Sequence, residues 1–330
     1  MVKFYQTKDK PYLMQLQKFD VGCWVDMVNP TDDEVEDVMT LTGIPEEMLK
    51  AALDAEETAR VEVDDGNSMF LVDTPVMRDT EEGDSYETLP ISVIFNDRCV
   101  VTVSLHGNPV LGDFVSGRVK TDTSKPVSFL LNFMLGNAKK FLSSLRQIDK
   151  KSLRVQAELH RSMKNKELIQ LLELENSLVY FSTSLSGNMR VCTRMKRLKP
   201  IETDETYSDL YDDVLIEYNQ AMEMCNIYRD ILSGTMDAFA SVISNNVNIV
   251  MKLLTVVTLI ISIPTLIASL WGMNVNVPFA DSPWGFWVVL AIAVVVSAVV
   301  AVVVLKTTAS IKIEENKTVR RTRGKRQEKN

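Results

Sequence analysis

Histidine and cysteine are scarce: the 330 residues hold two His and four Cys. Cys23, Cys99, Cys192 and Cys225 form no CxxC pair. That excludes a zinc knuckle and a thioredoxin-type redox motif, and leaves reduced cytosolic thiols as the expected state. His106 and His160 have no partner at ligand spacing and read as surface residues. No P-loop, GxGxxG or HExxH occurs, so the nucleotide and metalloprotease chemistry of those motifs has no footing. No Ser/His/Asp set can be assembled either, and an enzyme is not expected. The N-terminus, MVKFYQTKDKPY, lacks the apolar core of a signal peptide, so export of the N-terminal module is not expected.

What is present is unevenly distributed. The chain carries a net charge of −8, with 46% hydrophobic and 24% charged residues. Residues 306–330 hold nine Lys/Arg against three Glu, a net of +6, and residues 249–305 hold only Lys252 and Asp281. Subtracting +6 from −8 leaves −14 on residues 1–248. A large acidic module therefore precedes an apolar region and a short basic tail.

Two segments reach the roughly 20 apolar residues that a bilayer crossing needs. Residues 249–271 have Lys252 as their one charge, and residues 284–305 have none. A buried core helix would show a polar face, which the second segment lacks altogether. The connecting loop, residues 272–283, contains no Lys or Arg, whereas Lys252 and the tail from Lys306 onwards are basic. The positive-inside rule places both termini in the cytoplasm and the loop outside. Trp271, Trp284 and Trp287 cluster at the loop ends, at the level of the lipid headgroups. Directly after a membrane helix, the tail reads as a topology signal, and lipid rather than nucleic acid is the expected partner.

The first span differs from the second in one respect. Thr255, Thr258, Ser262, Thr265 and Ser269 follow one another at intervals of 3, 4, 3 and 4, and the seam extends back through Met251, Asn248, Ser244 and Ser241. The second span has one hydroxyl, Ser297. Polar groups facing hydrocarbon are costly, which admits two readings. The hydroxyls bond to neighbouring helices or to their own backbone, or the seam lines a water-filled pore built from several copies. Two helices alone enclose no conduit, so the pore reading requires an oligomer. Pro264 frees the carbonyl of Ile260 and predicts a bend.

The first 125 residues read as mixed α/β. Residues 22–28 predict a strand, and Thr31 with Glu34 forms a capping box. The helix it opens is expected to end near Thr42, before Gly43. Pro45 suits the first turn of another helix, with Glu46 and Glu47 at the positive end of its dipole. Strands are expected at 69–77, 89–95 and 99–104, with a turn at Asn96–Asp97 and a short helix from Pro109. Residues 126–248 switch to long helices, broken or kinked near 161–166 and turned at Lys199–Pro200. From Glu205 the helical pattern meets no proline until Pro264. One helix of sixty-odd residues, at about 1.5 Å per residue, would span roughly 90–100 Å and lead from the soluble region into the membrane.

The tripeptide Gly272-Met273-Asn274 closes the first span. Here the chain resembles the CorA family of divalent-cation channels, whose signature is Gly-Met-Asn at the end of the first of two C-terminal membrane helices. The resemblance extends to the acidic α/β domain, the long helices, the short outer loop and the basic tail. It implies an α+β membrane protein with long stalk helices that continue into a pore-lining helix. It also implies a homopentamer conducting Mg²⁺ across the bacterial inner membrane, with Co²⁺ or Ni²⁺ as further substrates. Asn274 would bind the hydrated ion through its waters, because Mg²⁺ keeps several of them; by residue type alone it also suits a helix C-cap. Asn248 and the hydroxyls would pass the ion inward, and Met251 and Leu254 match the family's apolar constriction. Intracellular Mg²⁺ bound between soluble domains would close the channel. The resemblance places a regulatory acid at Asp213, in a stretch with Asp209 and Asp212. The partner stretch, residues 49–54, carries Lys50, Ala51 and Ala52 where members have acids, leaving Asp54, Glu56 or Glu57. The outer loop likewise has Asp281 as its one acid. Rivals are a same-fold carrier of another divalent ion such as Zn²⁺, and a membrane-tethered sensor.

Overall fold

The computed structural model describes residues 1–7, 13–80, 83–162, 165–273 and 283–303. They fall into two units, Met1–Asp237 and Ala238–Asn330.

The first unit is built on a seven-stranded mixed sheet of order β2-β1-β3-β7-β6-β5-β4. Its strands are β1 (Val2–Thr7), β2 (Leu13–Leu16), β3 (Cys23–Val28), β4 (Arg60–Asp64), β5 (Asn67–Thr80), β6 (Gly83–Phe95) and β7 (Cys99–Ser104). The pair β3–β7 is parallel and the other pairs are antiparallel. Both faces of β7 are buried, because helices cover the sheet on both sides. Alternate residues serve the two layers, as the twofold period of a strand dictates. Cys23, Val25 and Met27 join Val101 and Val103 in one core with Val35 and Val38 of α1 (Asp32–Thr42) and Met48 of α2 (Glu46–Lys50). Trp24 faces the other way and packs on Phe114 of α3 (Pro109–Val115) and Phe129 of α4 (Pro126–Ser162), with ring centroids 6.4 and 5.3 Å away. Its indole N–H donates to Thr102 Oγ1 at 2.9 Å, and that hydroxyl donates to Asp26 at 2.9 Å. Burial holds the Asp26 carboxyl above the usual range despite the Thr102 bond.

Local signals act where they were expected. The backbone N–H of Glu34 donates to Thr31 Oγ1, the Glu34 carboxylate accepts from Thr31 N–H, and α1 ends on Gly43 at φ 77. Asn96 Oδ1 accepts from the N–H groups of Arg98 and Cys99 at 2.9 and 3.2 Å, closing the turn between β6 and β7. Four details differ from expectation. Pro45 is the N-cap of α2 rather than a residue of its first turn. Strands β5 and β6 reach further along their shared hairpin than 69–77 and 89–95. The edge strands β2 and β4 and the inner strand β1 were not anticipated. Lys199–Pro200 opens a short helix, α6 (Lys199–Thr203), with the proline in its first turn.

Helix α4 is described to Ser162 and α5 over Asn165–Met195, and the break expected near 161–166 falls in part outside the described residues. Then α7 runs from Glu205 to Trp271, 67 residues, with Pro264 inside it. Its residues from Glu205 to Asp237 belong to the first unit and the rest to the second. The second unit also contains α8 (Gly285–Val303). The apolar stretches of α7 and α8 have mean hydropathies of 2.3 and 3.0, and none of the α7 stretch is buried. A core helix of a soluble protein would be covered by its own chain, so these two helices have the length, composition and exposure of membrane spans.

Candidate ion pathway and regulatory acids

The hydroxyl seam on α7 is exposed along its length: Thr255, Thr258, Ser262, Thr265 and Ser269 all face out of the second unit. The partly covered positions are Val256, Ile260, Ile263, Pro264, Ile267 and Trp271, a separate stripe at helical spacing. On α8, Ala293 and Ser297 are buried. The seam is therefore left clear by the packing of the second unit.

Four of the five hydroxyls donate to a carbonyl of the preceding turn. Thr255 donates to the Met251 carbonyl, Thr258 to Leu254, Ser262 to Thr258 and Thr265 to Ile261, at 2.7–2.8 Å. These are the bonds back to the preceding turn that the first of the two sequence readings calls for. They consume the single proton of each hydroxyl and leave its oxygen lone pairs directed outward. The row is thus a line of acceptors. Below it, Asn248 is exposed, and Met251 and Leu254 are 54% and 58% exposed.

At the other end, Gly272 N–H donates to the Ala268 carbonyl at 2.9 Å, which closes the last turn. A Cβ at Gly272 would sit 3.3 Å from that same carbonyl oxygen, tighter than an ordinary contact, so glycine lets the chain leave the helix there. Met273 is exposed. Asn274 and Asp281 lie outside the described residues.

The acids that the sequence singles out for regulation lie at the surface of the first unit. Asp209, Asp212 and Asp213 are exposed on α7, and Asp54 is exposed after the 3₁₀ turn Ala51–Leu53. Asp54 Oδ1 accepts from Glu56 N–H at 3.0 Å. Glu57 pairs with Arg60 at 2.6 Å, which engages one of the alternatives to Asp54. Lys50 is tied to Asp32 at 2.6 Å and to Glu46 at 2.8 Å, and hydrogen bonds from these two carboxylates raise its ammonium above the usual range. Its charge is thereby spent locally and does not face the Asp54 stretch unpaired. No group of three or more His, Cys, Asp or Glu gathers at one point among the described residues.

The four cysteines are free and buried. Burial pushes the Cys99 and Cys192 thiols up to about 12 and the Cys225 thiol up to about 11, which makes them poor nucleophiles and poor metal ligands.

Comparison with known proteins follows the same lines. A family model described as CorA-like Mg²⁺ transporter protein matches residues 19–306. The chain is 29% identical over 288 residues to the cobalt/magnesium transport protein CorA of Methanocaldococcus jannaschii, covering 83% of this chain and 86% of that one. It is 25% identical to the cobalt/magnesium transport protein CorA of Thermotoga maritima, over 90% and 86% of the two chains. The complete structure of the M. jannaschii CorA magnesium transporter superposes with a TM-score of 0.78 at 22% identity, covering 92% of this chain and 96% of that one, which establishes the shared fold.

Proposed function

The chain belongs to the CorA-like Mg²⁺ transporter family, and on that premise we propose that it forms a homopentameric Mg²⁺ channel closed by intracellular Mg²⁺. Co²⁺ and Ni²⁺ are further substrates in this reading. The protein sits in the cytoplasmic membrane with both termini inside, as the basic tail requires.

The observation that carries the proposal is the exposed acceptor row on α7. Waters bound to Mg²⁺ point their protons outward, so a path for the hydrated ion needs a wall that accepts hydrogen bonds. Hydroxyls that donate to the preceding turn offer such a wall, and five copies of α7 around an axis would offer it on all sides. Asn274 would hold the hydrated ion at the outer mouth through its carboxamide oxygen. Met251 and Leu254 would form an apolar ring that empties of water when the channel closes.

Closure is assigned to the acids. The charge of −14 on residues 1–248 sets neighbouring copies against one another, and a divalent ion between them relieves that repulsion. Asp213 is the first candidate, with Asp209 and Asp212 beside it on α7 and Asp54 as the acid from the neighbouring copy.

Mg²⁺ uptake by proteoliposomes containing the purified protein tests the reading. Uptake driven by an inside-negative potential is expected, and Asn274→Ala should reduce it by about a hundredfold or more while the pentamer persists in native mass spectrometry. A monomer or dimer as the sole species would overturn the channel. Zn²⁺ carried in preference to Mg²⁺ would move the chain to a different cargo on the same fold.

A further inference from the structure

The first half of α7 is buried at seven-residue intervals. Tyr211, Tyr218, Cys225 and Leu232 are 4%, 0%, 0% and 2% exposed, with Val214 and Ala221 fully buried between them. This is the a/d pattern of a coiled-coil seam, except that three of the four a positions carry polar groups.

Each polar group is engaged. The Tyr211 hydroxyl donates to the Cys192 carbonyl of α5 at 3.1 Å. The Asn137 amide of α4 donates to the Tyr218 oxygen at 3.0 Å. The Cys225 thiol donates to the Leu178 carbonyl of α5 at 3.3 Å. The α5 partner moves back from Cys192 to Leu178 as α7 advances from Tyr211 to Cys225, so these two helices run antiparallel. The middle rung also reaches the sheet. The same Asn137 amide donates to the Asp73 carbonyl at 2.8 Å. Asn188 of α5 clasps Asp73 from the other side, accepting from its N–H at 2.9 Å and donating to its carbonyl at 2.8 Å. One strand and three helices thus meet around Tyr218.

An apolar seam tolerates sliding by one heptad, because Leu replaces Leu. A seam with polar a positions does not, since the slid state strands buried donors and acceptors without partners. Burial raises the Tyr211, Tyr218 and Cys225 groups, which keeps all three protonated and able to donate at physiological pH. We propose that Tyr211, Tyr218 and Cys225 form a register lock that fixes α7 against α4, α5 and β5. A cation-driven shift of the soluble unit then travels along α7 instead of being absorbed by slippage at this seam. The gating part of this inference rests on the channel reading above; the lock itself does not.

Hydrogen exchange on the full-length protein in detergent tests the lock, and Mg²⁺-dependent flux in liposomes tests its use. Tyr218→Phe keeps the buried ring and removes one hydrogen-bonding oxygen. Amides of residues 211–225 are expected to exchange about threefold to tenfold faster in this variant. Asn137→Ala already removes the Asn137–Tyr218 bond and leaves the weak one from the Tyr218 hydroxyl to Met134 Sδ at 4.0 Å, so adding Tyr218→Phe to it should bring a clearly smaller increase than Tyr218→Phe alone. The Mg²⁺ concentration that half-closes the channel should shift by at least about threefold, with open-channel flux unchanged. Unaltered exchange in Tyr218→Phe, or additive effects in the double variant, would overturn the lock. Faster exchange with a wild-type Mg²⁺ response would confine the lock to local stability and overturn its role in gating. A wild-type channel that Mg²⁺ does not close would remove the gating reading, and the exchange data alone would then decide the lock. Should Tyr218→Phe not fold, Tyr211→Phe removes a different rung under the same criteria.

Discussion

The two parts of α7 have one secondary structure and opposite surroundings. From Glu205 to Asp237 a regular set of side chains is buried by the chain's own helices and sheet. From Ala238 to Trp271 Phe239 is the one buried residue, although the sequence becomes more apolar. Hydrophobicity alone therefore does not separate the parts; the presence of a partner within the same chain does. The first part is finished as a fold in one copy. The second part is an apolar surface that its own chain leaves uncovered.

The contrast can be broken by truncating apolar side chains on either side of it. Trp24 is fully buried between two helices and the sheet, so Trp24→Ala should destabilise the soluble unit by about 3–5 kcal/mol. Leu259 is 44% exposed in the single chain, and Leu259→Ala should change the chain's own stability by less than about 1 kcal/mol. Denaturant melts of both variants in the same detergent make the comparison. Equal losses would mean that the membrane part is finished in one copy too. A smaller effect sharpens the link between the parts. Asp213→Ala removes one exposed acid per copy and should raise the half-closing Mg²⁺ concentration on the order of fivefold. Channel currents that keep the wild-type Mg²⁺ response would remove Asp213 from the sensor.

What could be read in advance follows the range of the forces involved. The capping box of Thr31 and Glu34, the stop at Gly43 and the turn at Asn96 are decided by neighbours in sequence, and all three stand as expected. The continuous helix through Pro264 was legible because no breaker interrupts its pattern before that point. The parallel pairing of β3 with β7 was not, since it joins residues about seventy apart and leaves no local mark. Strands β2 and β4 escaped because edge strands are short and largely exposed, and β1, between β2 and β3, has no strict alternation. The polar residues Asn137 and Asn188 also went unmarked. Nothing in a single sequence tells a buried, hydrogen-bonded asparagine from a surface one. The family was legible from Gly272-Met273-Asn274 at the end of an apolar span, and the match over residues 19–306 bears it out.

The central claim is that the hydroxyl seam of α7 faces water while the other sides of its apolar stretch do not. Single cysteines at Thr255, Thr258, Ser262, Thr265 and Ser269 test it with a small, water-soluble thiol reagent. The native cysteines are a quiet background, because burial holds the Cys23 thiol above its usual range and the Cys99, Cys192 and Cys225 thiols at about 12, 12 and 11. Cysteines at the five seam positions should be labelled, since thiolate formation needs water. Labelling should fall when Mg²⁺ closes the channel, most steeply on the cytoplasmic side of Thr258. Cysteines at Val256, Leu259 and Ile267, and at Val295 and Val302 of α8, should react at least about tenfold more slowly. Labelling of equal speed around the whole circumference of α7 would contradict the account.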